Sequence, residues 1–376
     1  MTIHTLRDRA RILLSPARWM PALLLSAALA SALAGCGGSG SAAAPGGNTT
    51  SGNGTNAGGA TSAANPLTNP DLILFASART PDSSTRFYAM NPDGSRVTPV
   101  ASLSKFNARL SQGVSLNQSG TFAVLAFDFG TGSAIQRQLI RLSDGAALLT
   151  FTAPYINPQT VFAANSTGTK VAVGGSPTST DAYGIYFMNP DGTQKTQLYA
   201  LPAGSSISEI TLAPDDQTIY YIAYPTTITS FAGNGTLYKL APGATVPIAL
   251  AHVDAPIYSL HTSRDGTKLA FVSLVETDGN QSGVFTPYTL NADGTNLVKG
   301  STTSVSGFVA PWNVVIASRT DGFHVLYVSS ADGAQEIYDM RPDGTGLTQI
   351  SFNAAGSNSP GSRQAILTSI QTLGGR

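Results

Sequence analysis

From Asp71 onward, two kinds of strand-length segment alternate along the chain. The first kind is apolar almost without interruption, at residues 122–127, 171–173, 219–223, 269–275 and 325–329. Each follows a short polar turn: Ser119-Gly120, Thr167-Gly168, Asp215-Asp216, Asp265-Gly266 and Asp321-Gly322. Such short continuous runs predict strands buried on both faces. The second kind carries tyrosine and alternates more, which predicts strands nearer a sheet edge.

The second kind ends in a recurring turn. Phe87-Tyr88-Ala89-Met90-Asn91-Pro92-Asp93-Gly94 returns as Ile185-Tyr186-Phe187-Met188-Asn189-Pro190-Asp191-Gly192 and as Ile337-Tyr338-Asp339-Met340-Arg341-Pro342-Asp343-Gly344. Tyr288-Thr289-Leu290-Asn291-Ala292-Asp293-Gly294 is a weaker copy, and Leu142-Ser143-Asp144-Gly145 and Leu240-Ala241-Pro242-Gly243 are degenerate ones. Proline presets φ at the second position of a type I turn, Asp suits the third, and Gly supplies the positive φ that follows. The closing glycines, 94, 145, 192, 243, 294 and 344, are spaced by 51, 47, 51, 51 and 50 residues.

Each unit of about 50 residues therefore holds two hairpins, or four strands. One such sheet cannot bury both faces alone, and radial stacking solves this, so the expected fold is an all-β propeller. Residues 69–371 accommodate six units. Residues 71–100 supply only the last strands of a unit and residues 351–373 only the first, so the two ends are expected to close the ring together. Residues 72–77 and 365–369 both read as second strands, which leaves a seventh blade open. A linear β-solenoid is a further alternative.

These repeats resemble the TolB-like propeller family with its WD40-like PD40 units. The Asn91–Gly94 and Asn189–Gly192 turns match its outer motif well, and Met340–Gly344 less closely. Ala213-Pro214-Asp215-Asp216 and Ser263-Arg264-Asp265-Gly266 are the best matches to its inner turn. The resemblance implies a six-bladed propeller over nearly the whole body. TolB carries an α/β domain before its propeller and this chain does not repeat that arrangement, so TolB's partners are not implied. WD40 repeats proper fit poorly, since Trp312 is the only tryptophan after the first 35 residues, and so do Kelch repeats, with Gly174-Gly175 the only strand-end glycine pair.

The N-terminal region has a different character. Arg7, Arg9, Arg11 and Arg18 precede the uncharged apolar stretch 21–34, which is short for a membrane-spanning helix and reads as a secretory signal, a retained signal anchor being the alternative. It ends Leu33-Ala34-Gly35-Cys36, similar to the bacterial lipoprotein signal. That resemblance implies cleavage after residue 35 and lipidation of Cys36, and Gly37 at the following position implies the outer membrane. Residues 37–68 are Gly, Ala, Thr, Ser and Asn with two Pro and one Leu, a composition expected to remain a disordered tether. The expected organisation is thus a signal at 1–35, a lipidated cysteine and tether at 36–68, and a propeller at 69–376.

Charge narrows the partners. Charged residues are 11% of the chain and the formal net charge is zero, which argues against nucleic acid. Without residues 1–35 the balance is 17 basic to 20 acidic residues, too slight for electrostatic steering to dominate. The single cysteine excludes an intrachain disulfide and a multi-cysteine metal site, and neither a metal nor a cofactor is expected. No Gly-x-Ser-x-Gly nucleophile elbow occurs.

His252, His261 and His324 are the histidines after the signal, too scattered to resemble the metal-binding set of propeller lyases. His324 falls within a strand and reads as a structural residue, whereas His261 lies near a channel mouth. Asn291-Ala292-Asp293-Gly294 places its Gly fourth where an EF-hand needs it sixth, so it reads as a hairpin turn. Asp215-Asp216 also reads as a turn, although a carboxylate pair could hold a cation weakly. In a propeller the innermost strands line a channel, and the residues leading into them ring one mouth. By repeat position these are Arg109, Gln159, Glu209, Tyr258 and Trp312, joined by His261. Tyr, Trp and Arg are types enriched at binding hot spots. The expected function is a non-catalytic, lipid-anchored scaffold for an envelope protein or peptide. A carbohydrate-binding lipoprotein is the alternative, followed by a lyase or hydrolase acting on glycans.

Overall fold

The computed structural model describes residues 71–77, 86–104, 111–117, 121–128, 135–152, 161–178, 180–225, 235–277, 282–306, 314–329, 336–351 and 371–372. They form six antiparallel sheets. Blade I contains β1 (Ile73–Ser77), β2 (Arg86–Met90) and β3 (Thr98–Pro99), and blade II contains β4 (Ser111–Leu116), β5 (Phe122–Asp128), β6 (Ile135–Arg141) and β7 (Ala147–Thr152). Blade III contains β8 (Val161–Ala164), β9 (Val171–Gly175), β10 (Gly184–Met188) and β11 (Thr196–Ala200). Blade IV contains β12 (Ser205–Leu212), β13 (Ile219–Pro225), β14 (Gly235–Leu240) and β15 (Ile248–Val253). Blade V contains β16 (Ile257–Thr262), β17 (Lys268–Thr277), β18 (Ser282–Asn291), β19 (Val298–Lys299) and β20 (Thr303–Ser306). Blade VI contains β21 (Val314–Arg319), β22 (Gly322–Ser329), β23 (Glu336–Met340) and β24 (Thr348–Gln349), and the last strand is β25 (Gln371–Thr372).

β25 pairs with β1, Ile73 opposite Thr372, and so becomes the first strand of blade I. The expected closure by both chain ends is therefore present. Residues 73–77 take the second position in that blade, and the rival segment 365–369 lies outside the described residues. The first strands β4, β8, β12, β16, β21 and β25 each contact the next around a complete circuit. Such a circuit has six members and is closed, which rules out both a seventh blade and an open solenoid. Among the described residues no helix is long and apolar enough to cross a membrane.

Packing explains the near-continuous apolar runs. In β17, Leu269 and Phe271 belong to the core between blades IV and V, whereas Ala270, Val272 and Leu274 belong to the core between V and VI. Successive side chains point to opposite faces and both faces are covered, so the run 269–275 is apolar except for the buried Ser273. The third strand supplies a tyrosine opposite a second-strand aromatic. Phe75–Tyr88, Tyr221–Tyr238, Phe271–Tyr288 and Tyr327–Tyr338 stack with centroids 5.7, 5.2, 5.1 and 5.3 Å apart. Cross-strand aromatic pairs of this kind stabilise a sheet beyond their buried area.

The Asp-Gly turns join β2 to β3 and the equivalent third and fourth strands of other blades. Gly94 N donates to Asn91 O at 2.9 Å, and Asp93 Oδ1 accepts from Ser95 N at 2.9 Å. Gly94 has φ +81°, and a Cβ there would lie 1.9 Å from the Ile350 carbonyl oxygen of blade VI. The left-handed backbone recurs at all six closing glycines, and at Gly94, Gly294 and Gly344 the turn also lies close against the preceding blade.

Candidate functional site

All six first strands enter the ring from the same side, so their starts define one mouth of the channel. The turns joining first to second strands collect at the opposite end, which is here called the turn face.

At the mouth, tyrosine hydroxyls from one blade hold the first strand of the next. Tyr183 Oη accepts from Ile207 N at 3.0 Å, joining blade III to β12. Tyr224, at the end of β13, accepts from Ile257 N at 2.5 Å and donates to Ile257 O at 2.9 Å, joining blade IV to β16. Burial pushes the Tyr224 phenol well above the ordinary tyrosine range, and the nearby Tyr258 and Glu209 act in the same direction. Glu209 on β12 and Tyr258 on β16 thus meet around Tyr224 between blades IV and V. Both are half-buried.

Register irregularities re-aim these strands. β12 shifts between Ile207 and Glu209, and β16 between Tyr258 and His261. Ser259, in the second irregularity, adopts φ +53°, and its Oγ accepts from Ile316 N of blade VI at 2.8 Å. Bulges of this sort turn a side chain out of the regular alternation. Beyond it, burial lowers the His261 imidazole to about 4, so this side chain is neutral at pH 7.

The turn face is laced from blade to blade. Asn117 Nδ2 of blade II donates to Asn165 O at 3.0 Å, and Ser166 N of blade III donates to Asp216 Oδ1 of blade IV at 2.8 Å. Asp71, just before β1, accepts from Arg264 of blade V, and from Thr320 N at 3.1 Å and Thr320 Oγ1 at 2.6 Å of blade VI. Asp215 Oδ1 accepts from Gln217 N at 2.9 Å and Thr218 N at 2.7 Å. The Asp215-Asp216 carboxylates are therefore engaged by different partners, as their reading as a turn requires. Asp293 likewise accepts from Thr295 N at 2.9 Å within its own hairpin turn.

Blade VI adds a buried polar network at this end. Arg319 donates to Asp339 at 2.5 Å, and His324 places Nδ1 2.9 Å from Asp339 and Nε2 3.0 Å from Asp321. Arg341 Nη2 donates to Asp321 at 3.2 Å. Ala317 lies opposite His324, and Leu326 opposite Asp339; both apolar partners belong to the core shared with blade I. Opposed residues share a sheet face, so His324 and Asp339 face the closing seam. His324 is thus the structural strand residue expected. Among the described residues no three His, Cys, Asp or Glu side chains cluster so as to hold a metal ion.

Of the residues expected at the mouth, the structure brings Glu209 and Tyr258 together, whereas His261 lies at the far end of β16, beside the 263–266 turn of the turn face, because the strand runs from the mouth towards that turn. Arg109, Gln159 and Trp312, and the lipidation candidate Cys36, lie outside the described residues. Tyr183 and Tyr224 were not legible as mouth residues. Their only sequence signal is a tyrosine flanking an apolar strand, and this repeat places tyrosines in core stacks as well.

No family profile matches the chain, and no curated protein sequence matches it. Solved structures similar to it include TolB from Acinetobacter baumannii, with 14% identity and a TM-score of 0.48 over 73% of this chain and 62% of that one. A TolB from Agrobacterium tumefaciens matches at 15% identity and a TM-score of 0.44, over 75% of this chain and 88% of that one. An oligogalacturonate lyase in complex with manganese matches at 13% identity and a TM-score of 0.44, over 72% of this chain and 85% of that one. The chain spans 62% of the length of the Acinetobacter TolB. The six-bladed propeller fold follows from the sheet order and the closed circuit of first strands reported above.

Proposed function

We propose that this protein is a non-catalytic, lipid-anchored propeller of the bacterial cell envelope that presents its channel mouth to a protein or peptide. The observation that carries the reading is the convergence of Glu209, Tyr224 and Tyr258 between β12 and β16. Two amphipathic rings and one carboxylate suit a peptide segment with a hydrogen-bonding backbone and a basic or amino group. At the opposite end, hydrogen bonds link one blade to the next. Anchoring rests on Leu33-Ala34-Gly35-Cys36 following a basic and then an apolar segment.

The test is crosslinking in the native envelope, affinity capture and mass spectrometry. The comparison is a folded variant carrying both Glu209→Gln and Tyr258→Ala. A defined protein captured by the parent and lost from the variant supports the reading, and capture unaffected by the variant overturns it. Cys36→Ser should release the protein from the membrane fraction without altering its fold, and unchanged fractionation would remove the anchor.

A glycan ligand is the second reading, favoured by the same tyrosine faces at the mouth. Recovery of polysaccharide without a protein partner would support it. A lyase or hydrolase would need histidines and carboxylates converging at the mouth. His252, His261 and His324 are placed in blades IV, V and VI, His252 on the outer strand β15.

A further inference from the structure

The third-to-fourth-strand turns end at the turn face, and the third residue after each closing glycine occupies one repeated position. In blades I and II it is Val97 and Leu148, each packed against a core cluster. In blades IV, V and VI it is Val246, Leu297 and Leu347, exposed at 71%, 44% and 57%. Ile248 and Val298 stand beside them at 59% and 54%. Burial of the equivalent residues elsewhere shows that the repeat does not require exposure here. Lys195 holds the position in blade III and ends the arc on that side. Five exposed aliphatics on three successive blades form one arc, unlike the scattered singles of an ordinary surface.

The chain reaches the propeller at the same end. Ile73 is level with Met90, which leads into the Asn91–Gly94 turn, and Asp71 is fixed by Arg264 and Thr320 of blades V and VI. Those blades carry Leu297, Val298 and Leu347. Only the 34 residues 37–70 separate Asp71 from Cys36. The point where the chain enters the propeller and the aliphatic arc thus share one end of it.

We infer that the turn face docks on a lipid bilayer through Val246, Ile248, Leu297, Val298 and Leu347, which leaves the mouth near Glu209 and Tyr258 directed away from the membrane. The inference rests on the lipid-anchor reading above. Charges beside the arc are mixed, Asp293 and Asp343 against Lys299 and Arg341, so docking depends on apolar area and requires no anionic lipid. The aliphatic tips would sit about 5–10 Å into the boundary of headgroups and acyl chains.

The test uses the full lipidated chain in phosphatidylcholine vesicles. Lipidation consumes the Cys36 thiol, so Leu297→Cys introduces the single site for an environment-sensitive thiol probe, and Asp254→Cys places the same probe at the mouth end. The expected result is a blue-shifted Leu297 probe quenched by brominated acyl chains in low and high salt, with the Asp254 probe unquenched. Adding Val246→Ser, Ile248→Ser and Leu347→Ser should abolish that quenching, and these exposed positions leave the core intact. Equal quenching at both sites, or none at either, overturns the docking. Should the parent chain itself take up probe, its Cys36 thiol is free and the anchor fails, and the docking with it. A parent that takes up no probe, with an unquenched Leu297 site, removes the docking alone and assigns the arc to a protein partner.

Discussion

Replacing Asp339 by Ala tests whether the blade VI network holds the closing seam. Asp339 accepts from Arg319 at 2.5 Å and faces His324 Nδ1 at 2.9 Å. The Arg319 side chain is 4% exposed, and its Nε and Nη2 have no hydrogen-bond partner among the described residues. Removing the carboxylate leaves a guanidinium with little water and no counter-charge. Breaking a buried pair from one side costs about 3–5 kcal/mol. For a domain of this size a urea m-value of about 3 kcal/mol/M converts that loss to a midpoint shift of about 1–1.7 M. The assay is equilibrium urea unfolding followed by tyrosine fluorescence, with the parent under the same conditions. Arg319→Met, His324→Leu and Asp339→Leu together should recover most of the loss, because no charge then remains buried. A single-variant shift below about 0.3 M would refute the argument, since it would mean that water or another group already screens Arg319.

Gly94→Ala meets both a left-handed φ and the Ile350 carbonyl, and it should destabilise by more than the roughly 1–2 kcal/mol of the backbone alone; a smaller loss in the same assay would contradict the close approach of blades I and VI. Tyr224→Phe leaves Ile257 N without its acceptor and should cost about 1–3 kcal/mol, with faster hydrogen exchange at that amide as the local readout. His261 is held at about 4 in the fold against an ordinary 6.5, so the unfolded chain takes its proton first. Stability should fall as pH drops from about 6.5 to 4 and His261→Gln should flatten that slope, as seen in urea midpoints across the range. Asp265 is lowered to about 2, mainly by the Ser263 hydroxyl and the Thr267 amide. Its contribution is present above about pH 4 and disappears towards pH 2, so Asp265→Asn should weaken the fold at neutral pH but not at pH 2.

The sequence determined the unit and the closure of this fold. Patterns such as Asn-Pro-Asp-Gly are local: proline, aspartate and glycine each impose a backbone preference within four residues, so the turn is readable without knowing its neighbours. The run Leu269–Leu274 is readable for a related reason, because a segment apolar on both faces, with Ser273 its one polar residue, requires two covered faces wherever it sits. A spacing near 50 residues, with incomplete units at both ends, then leaves a closed ring as the natural arrangement, and β25 beside β1 completes it.

The tertiary structure alone decided what meets across the gaps between blades. Tyr224 and Tyr238 both lie in the strands of one blade, yet Tyr238 stacks on Tyr221 whereas Tyr224 reaches Ile257 of the next blade. Which face each tyrosine takes depends on strand register and bulges. The same holds for His324 and Asp339, read separately as a strand residue and part of a repeat motif, which the sheet brings together with Arg319. Exposure of Val246, Leu297 and Leu347 could not be read either, since Val97 and Leu148 share their repeat position and are packed. Local preferences act through bonds a few residues apart, whereas these contacts depend on how neighbouring sheets are stacked.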